Sequence, residues 1–222
     1  LMYEDDVPES GRPSALRGSL GCDPLGALAR DGRLPFDLAT AGALLGELCR
    51  VTAQSYPQLA AAEVDVEVYQ VAGAHAAQEL GYALATGTEY LRHAMAAGLS
   101  VDQASAQLAF RLGVGSDLFL ELAKLRALRL GWAKLVAAFG GGAAAQNTRI
   151  HAISSLRTKT RRDPWVNMLR TTTEAFAAMV AGADALTTRG FDAALGRSDE
   201  FARRIARNAQ VILNEEAHVT HV

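Results

Sequence analysis

Thiol chemistry is scarce in this chain. Cys22 and Cys49 are its only cysteines among 222 residues, too few for a disulfide framework or a thiolate metal cluster, and a reducing, cytoplasmic setting suits them best. Long apolar runs are missing as well: a charge interrupts each one within about a dozen residues, short of the roughly 20 that a bilayer demands. No basic leader with an apolar core opens the chain, so neither a membrane nor export is expected. Neither sign of charge prevails, since the formal net charge is −2 with Lys and Arg dispersed, and this excludes the basic footprint that nucleic acid requires. The phosphate loops G-x-G-x-x-G and G-x-x-x-x-G-K-[ST] are absent; "GVG" at 113–115 runs on into Ser116, Asp117 and Leu118 without a third glycine. His218 and His221 have no third ligand near them in the sequence, so no metal site is expected.

What is present is an ordinary globular balance, 50% hydrophobic and 21% charged, in a chain long enough for one sizeable core. The first 35 residues, rich in Gly, Pro, Asp and Arg, read as loop with short helical turns around "DPLGALA". Leu38, Leu44, Leu45, Leu48 and Val51 recur at helical spacing until Pro57. At 64–69, Val64, Val66 and Val68 alternate with Asp65, Glu67 and Tyr69 as in a strand, and a helix follows over 74–96. A strand at 108–112 leads to a helix that Ser116 could cap, with Leu118, Leu122, Leu125, Leu128, Trp132, Leu135 and Phe139 on one face, stopped by "GGG" at 140–142. "RIHAISS" from Arg149 is a third strand; Asp163 and Pro164 suit the start of a helix whose inward face is Trp165, Met168, Leu169, Thr172, Phe176 and Met179. A strand around "DALTT" precedes a last helix, capped by Ser198, with Phe201, Ile205, Ala209 and Ile212 as its buried stripe. Strands alternating with helices imply parallel pairing and right-handed crossovers. An open sheet and a barrel both obey that rule. The preferred fold class is α/β, a partial (β/α)8 TIM barrel, because four clear βα units fall short of the eight, over roughly 250 residues, of a closed one.

Three phrases, "LFLELAKLRALRLGWAKL" at 118–135, "DPWVNMLRTTTEAFAAMVAGADALTT" at 163–188 and "FDAALGRSDEFARRIARNAQVILNEE" at 191–216, resemble in order and spacing the acyl-CoA-binding barrel of the methylmalonyl-CoA mutase family. The likeness runs from about Gly18 to the end. It implies that residues 1–222 are a C-terminal portion of that barrel, without the cobalamin-binding domain, and Leu1 in place of Met and the apolar close "HVTHV" suit a portion of a longer chain. It also implies an enzyme in which adenosylcobalamin lies across the barrel mouth, CoA threads the centre, and the cofactor carries the radical chemistry.

Residue by residue, the resemblance points to a vacated site. Active members read Gly-Tyr-His-Met-Gln-Glu-Ala-Gly-Ala where this chain approaches "AGA" at 72–74; the family His falls on Val68, the Glu on Val71, and only the Gln is kept, as Gln70. His75 lies seven residues on, inside the expected helix, where a surface or partly packed role is the simpler reading. In "GSLGCDPL" Ser19 keeps a hydroxyl but Gly21 replaces a Gln; in "QLAFRLGVG" an Arg and a Ser fall on Gln107 and Ala109, with Arg111 as a partial substitute. In "RIHAISS" His151 matches a CoA-contacting His, beside a core-histidine reading, while a Gln falls on Ile153. The expected assignment is therefore no catalytic residue, with Ser19, Gln70, Arg111 and His151 as vestigial substrate contacts. Within this family heterodimeric bacterial mutases pair a catalytic large subunit with a homologous small subunit that has lost these contacts, and "DPWVN" resembles the small one. The implied partners are the large subunit and, in the holoenzyme, acyl-CoA, with adenosylcobalamin held by the large subunit. A divergent active acyl-CoA mutase is the alternative, and an unrelated (β/α)8 protein the third reading. An unclosed parallel barrel exposes strand edges, so these residues alone are expected to aggregate or dimerise.

Overall fold

The computed structural model describes residues 16–221. Five parallel strands lie in sequence order, β1 (Gly18–Cys22), β2 (Leu59–Asp65), β3 (Leu108–Val114), β4 (Arg149–Ser154) and β5 (Ala185–Thr187), and curl into a half-barrel. Between them run α1 (Pro24–Asp31), α2 (Leu38–Ser55), α3 (Glu67–Val71), α4 (Ala76–Ala96), α5 (Val101–Ala106), α6 (Leu118–Ala138) and α7 (Asn167–Val180), with α8 (Glu200–Val211) after β5. The partial barrel expected from the βα alternation is what forms.

The opening loop is more ordered than its Gly and Pro content suggests. Residues 18–22 pair with β2, and Asp23 starts α1 by accepting a hydrogen bond from Gly26 N at 3.0 Å. The expectation for residues 1–15 lies outside the described residues, as does the side chain of His221. The strand expected at 64–69 sits earlier in the chain. Ala60, Ala61 and Ala62 are fully buried in β2, although alanine has little intrinsic strand preference. Asp65 ends the strand by accepting from Glu67 N at 3.1 Å. Val66 and Val68 thereby leave the alternating pattern, and Val68 falls in α3.

Helix starts follow side-chain acceptors, several one residue from where the sequence pattern put them. Asp117 rather than Ser116 caps α6, and Asp199 rather than Ser198 caps α8, a carboxylate being the stronger partner for the free N–H groups at a helix's positive end. Asp163 caps nothing: it sits at a left-handed φ of 50° before a short 3-10 turn (Pro164–Val166). His75 precedes α4 and forms a reciprocal capping box with Gln78.

Two apolar stripes are turned from their expected direction. On α7 the buried residues are Asn167, Thr171, Glu174, Ala175, Ala177 and Ala178, while Leu169 is 71% and Trp165 55% exposed. Two of the polar members have partners inside, while the Thr171 hydroxyl is buried without one. Glu174 pairs with Lys159, both side chains being fully buried, and Asn167 donates to the carbonyls of Thr160 and Phe191 at 2.9 and 2.8 Å. On α8 the buried residues are Ala202 and Ala206, and Phe201 is exposed. The α6 stripe is right at its centre, with Leu125, Leu128 and Trp132 fully buried.

The helix-side core is centred on β3. Phe110 meets Trp132 edge to face at a centroid distance of 4.9 Å, and Tyr90, Leu91 and Leu45 close the cluster from α4 and α2. Gly87 is where α4 crosses this pair: a Cβ there would lie 2.8 Å from Trp132 and 2.9 Å from Phe110. Alanine gains about 1 kcal/mol of helix propensity over glycine, but overpacking a filled core costs about 1–3 kcal/mol. Gly87→Ala is expected to destabilise the protein by about 1–2 kcal/mol in urea unfolding, the steric cost exceeding the propensity gain.

Candidate functional site

Side chains on the other side of the sheet point into the concave face. Parallel register sets Glu63 beside Ala109, Asp65 beside Arg111, Arg111 beside His151, and His151 beside Ala185. The alternation that buries Phe110 among helices therefore aims Ala109 and Arg111 inward. Charged groups there must find partners.

At the strand ends the partners are ionic. Glu67, 5% exposed at the start of α3, accepts from Arg111 Nη2 at 3.2 Å and from Arg189 Nη2 at 2.9 Å, and Arg189 Nη1 reaches its other oxygen. Arg111 also lies 3.8 Å from Asp65. Burial pushes the Asp65 carboxyl above its usual range, Arg111 only partly offsetting it. Beside this cluster, Val68, Val71, Ala72 and Leu156 line an open hollow of about 410 Å³ together with Arg111 and Glu67.

Gln70 is a beam rather than a ligand-facing amide. Its Nε2 donates to Gly113 O at 2.8 Å and its Oε1 accepts from Ser155 Oγ at 2.8 Å. A Cβ on Gly113 would come within 2.0 Å of Oε1, so this close approach requires glycine. Behind it, Lys124, fully buried, donates to Gly113 O at 2.7 Å and pairs with Glu79 and Glu121 at 2.9 and 2.7 Å. Burial raises the Glu79 carboxyl even against that lysine.

Lower on the concave face, Glu63 Oε1 lies 2.9 Å from His151 Nδ1, and His151 Nε2 lies 2.8 Å from Thr187 Oγ1. Burial pushes the Glu63 carboxyl up, but His151, Arg111 and a hydrogen bond from Ser19 more than offset it and hold it below the usual range. Ser19 itself is exposed, and its Oγ accepts from Gly21 N at 3.0 Å. Towards the strand starts the face opens into a cavity of about 680 Å³ bordered by Arg17, Ser19, Glu63, Arg149 and His151. Arg149 is pinned to the carbonyls of Gln58 and Ala106 at 2.9 and 2.6 Å.

Of the residues singled out from sequence, Ser19, Arg111 and His151 share the concave face, Gln70 lies behind it, and Val68 sits at the mouth without a polar group. Glu63, Glu67, Thr187 and Arg189 complete the clusters and were not singled out. Glu63, Asp65 and Glu67 were visible as the polar phase of "EVDVE", but their partners are 44 to 122 residues away, beyond any local pattern. Among the described residues no group of three or more His, Cys, Asp or Glu could hold a metal ion. Both cysteines are free thiols, and burial pushes Cys49 up to about 12 and Cys22 upward as well, so neither is a thiolate at neutral pH.

The profile of a family described as methylmalonyl-CoA mutase matches residues 4–222. A methylmalonyl-CoA mutase small subunit from Streptomyces virginiae is 52% identical over 94% of this chain and 33% of its own length. The corresponding small subunit from Propionibacterium freudenreichii subsp. shermanii is 40% identical over 92% of this chain and 31% of its own length. A methylmalonyl-CoA mutase from Escherichia coli K12 is 42% identical over 67% of this chain and 21% of its own length. The chain thus spans a third or less of the length of these curated relatives.

Removing the charge from Glu67 would leave two guanidinium groups facing each other. Breaking a buried pair costs about 3–5 kcal/mol, and the partial exposure of Arg111 and Arg189 lowers the expected loss for Glu67→Gln to about 2–3 kcal/mol, read from urea melts at neutral pH. Glu63 has the opposite signature to a merely buried acid. Its folded pKa is depressed, so it contributes stability that is full above the unfolded value of about 4.3 and is lost as pH falls through the lower folded value. Stability plotted against pH should fall less steeply over that acid window in Glu63→Gln than in the parent.

Proposed function

Because the chain belongs to the methylmalonyl-CoA mutase family, we propose that it forms part of the barrel of a small mutase subunit, one that does not itself carry out the rearrangement but stabilises a catalytic large subunit. That partner would interconvert methylmalonyl-CoA and succinyl-CoA with adenosylcobalamin in the cytoplasm. The observation that carries this reading is Val68. It occupies the position of the family's carbonyl-donating His, half-buried at the mouth beside Val71, Ala72 and Leu156. Valine can neither donate to a thioester carbonyl nor accept from it.

The rest of the mouth supports the same reading. The hollow beside Val68 is walled by Val68, Val71, Ala72 and Leu156 together with Arg30, Asp65, Arg111 and Glu67, of which Arg111 and Glu67 pair with each other and Glu67 also with Arg189. Gln70 is committed to Gly113 and Ser155. On this reading adenosylcobalamin belongs to the large subunit. Ser19, Gln70, Arg111 and His151 then stand as vestiges of a thioester site whose hydrogen bonds now close on the protein itself. Membrane attachment by a spanning helix has no support, as no helix among the described residues is long and apolar enough to cross one.

The competing reading, a divergent but active acyl-CoA mutase, rests on the survival of His151 and Arg111 on the concave face. The two readings separate in one assay. Methylmalonyl-CoA isomerisation is followed with adenosylcobalamin for the full-length protein alone and again with a catalytic large subunit added. Activity only in the mixture is the expected result; turnover by this protein alone would show that the carbonyl finds another donor.

A further inference from the structure

Helix α6 is apolar on both of its faces. Leu125, Leu128 and Trp132 point into the core, while Phe119, Ala123, Ala127 and Leu130 recur at helical spacing along the exposed side. Phe119 is 80% and Leu130 59% exposed. A helix that faces water carries polar residues on that side, and one that is apolar all round is a buried helix. Further barrel units would not cover this stripe. α6 crosses from β3 to β4, inside the order of five strands, and packs against α4 on one side and α7 on the other, whereas units that complete a barrel join at β1 and β5.

The neighbouring helices present similar faces. On α7, Leu169 is exposed, and beside it the hydroxyls of Thr172 and Thr173 donate back to the carbonyls of Met168 and Leu169 at 2.8 and 3.0 Å, which spends their polarity on the helix itself. On α4, Ala77, Gly81 and Ala85 are exposed. The three helices are 21, 21 and 14 residues long. At about 1.5 Å per residue and about 10 Å of width, their outer strips come to roughly 800 Å², the area that one side of a stable complex buries. Charge on this face has one sign. The acids within α6 and α7, Glu121 and Glu174, are buried, and Glu89 of α4 already faces Arg92 at 3.5 Å. Arg126 and Lys134 of α6 are exposed. A second copy laid face to face would offer these cations no free acid, whereas a surface with carboxylates around an apolar centre complements both features.

Building on the small-subunit reading above, we propose that the outer face of α4, α6 and α7 is where this protein docks its catalytic large subunit. Phe119 and Leu130 form the apolar centre of the contact, and Arg126 and Lys134 meet carboxylates of the partner. Ala123 and Ala127 lie between the two large side chains and let a partner helix approach α6 closely, since the side chains at a contact set the distance between helix axes.

The test mixes the full-length protein with a catalytic large subunit and reads the dissociation constant by titration calorimetry, with sedimentation velocity of each protein alone. Phe119→Asp and Leu130→Glu are each expected to weaken the complex at least about tenfold, the scale of a central interface residue. Lys134→Glu should weaken it as well and flatten its salt dependence. Leu44→Glu, at an exposed position on α2, should leave the affinity unchanged. All four positions are exposed, so the variants should melt at the parent's temperature. If the parent binds and the two apolar variants bind equally well, the docking surface lies elsewhere, and the small-subunit reading survives without this inference. If the parent does not bind a large subunit, both fail. A lower melting temperature of Phe119→Asp and Leu130→Glu with unchanged affinity would show the face covered by another part of its own chain, and self-association of the parent that Leu130→Glu abolishes would give the face to a second copy; either result overturns the proposal.

Discussion

The upper rim of this half-barrel depends on one buried carboxylate. Glu67 follows β2, Arg111 belongs to β3 and Arg189 follows β5, so their contacts tie together strand ends that the sheet's own hydrogen bonds reach only pairwise. A charge out of water is costly without a partner. The rim therefore closes in an arrangement that lets both arginines share Glu67, and Val68, Val71, Ala72 and Leu156 line one part of the hollow beside it.

A second constraint is steric. Gly87 in α4 and Gly113 in β3 mark close approaches. Their lack of a side chain allows α4 to lie against Phe110 and Trp132, and allows the Gln70 amide to reach across Gly113. The small residues set the depth of the layers, and the buried polar groups behind them, Lys124 with Glu79 and Glu121 and Lys159 with Glu174, fill what the small residues leave open. Each is paired, which is what makes burial tolerable.

Much of this was legible in advance, for a physical reason. Helix and strand periods come from local geometry, so the order of βα units and the centre of the α6 stripe could be read directly, and three phrases carried the family resemblance. The failures have a common cause. On α7 and α8 the large apolar residues were assigned inward because burial of apolar area is the usual driving force, yet the sheet accepted Asn167, Thr171, Glu174, Ala202 and Ala206 instead. Small and internally paired side chains fit where Trp165, Leu169 and Phe201 would not. The strand at 64–69 was misplaced because valines at alternating positions look alike on either side of the turn that Asp65 makes.

By itself the sequence determined the succession of strands and helices, hence a parallel sheet, and the apolar side chain at position 68, because these depend on residues close together in the chain. Tertiary structure alone decided which charges meet. His151 lies 88 residues from Glu63 and 36 from Thr187, and Glu67 lies 122 residues from Arg189. Contacts at such separations are set by the register and curl of five strands, and no local period encodes them.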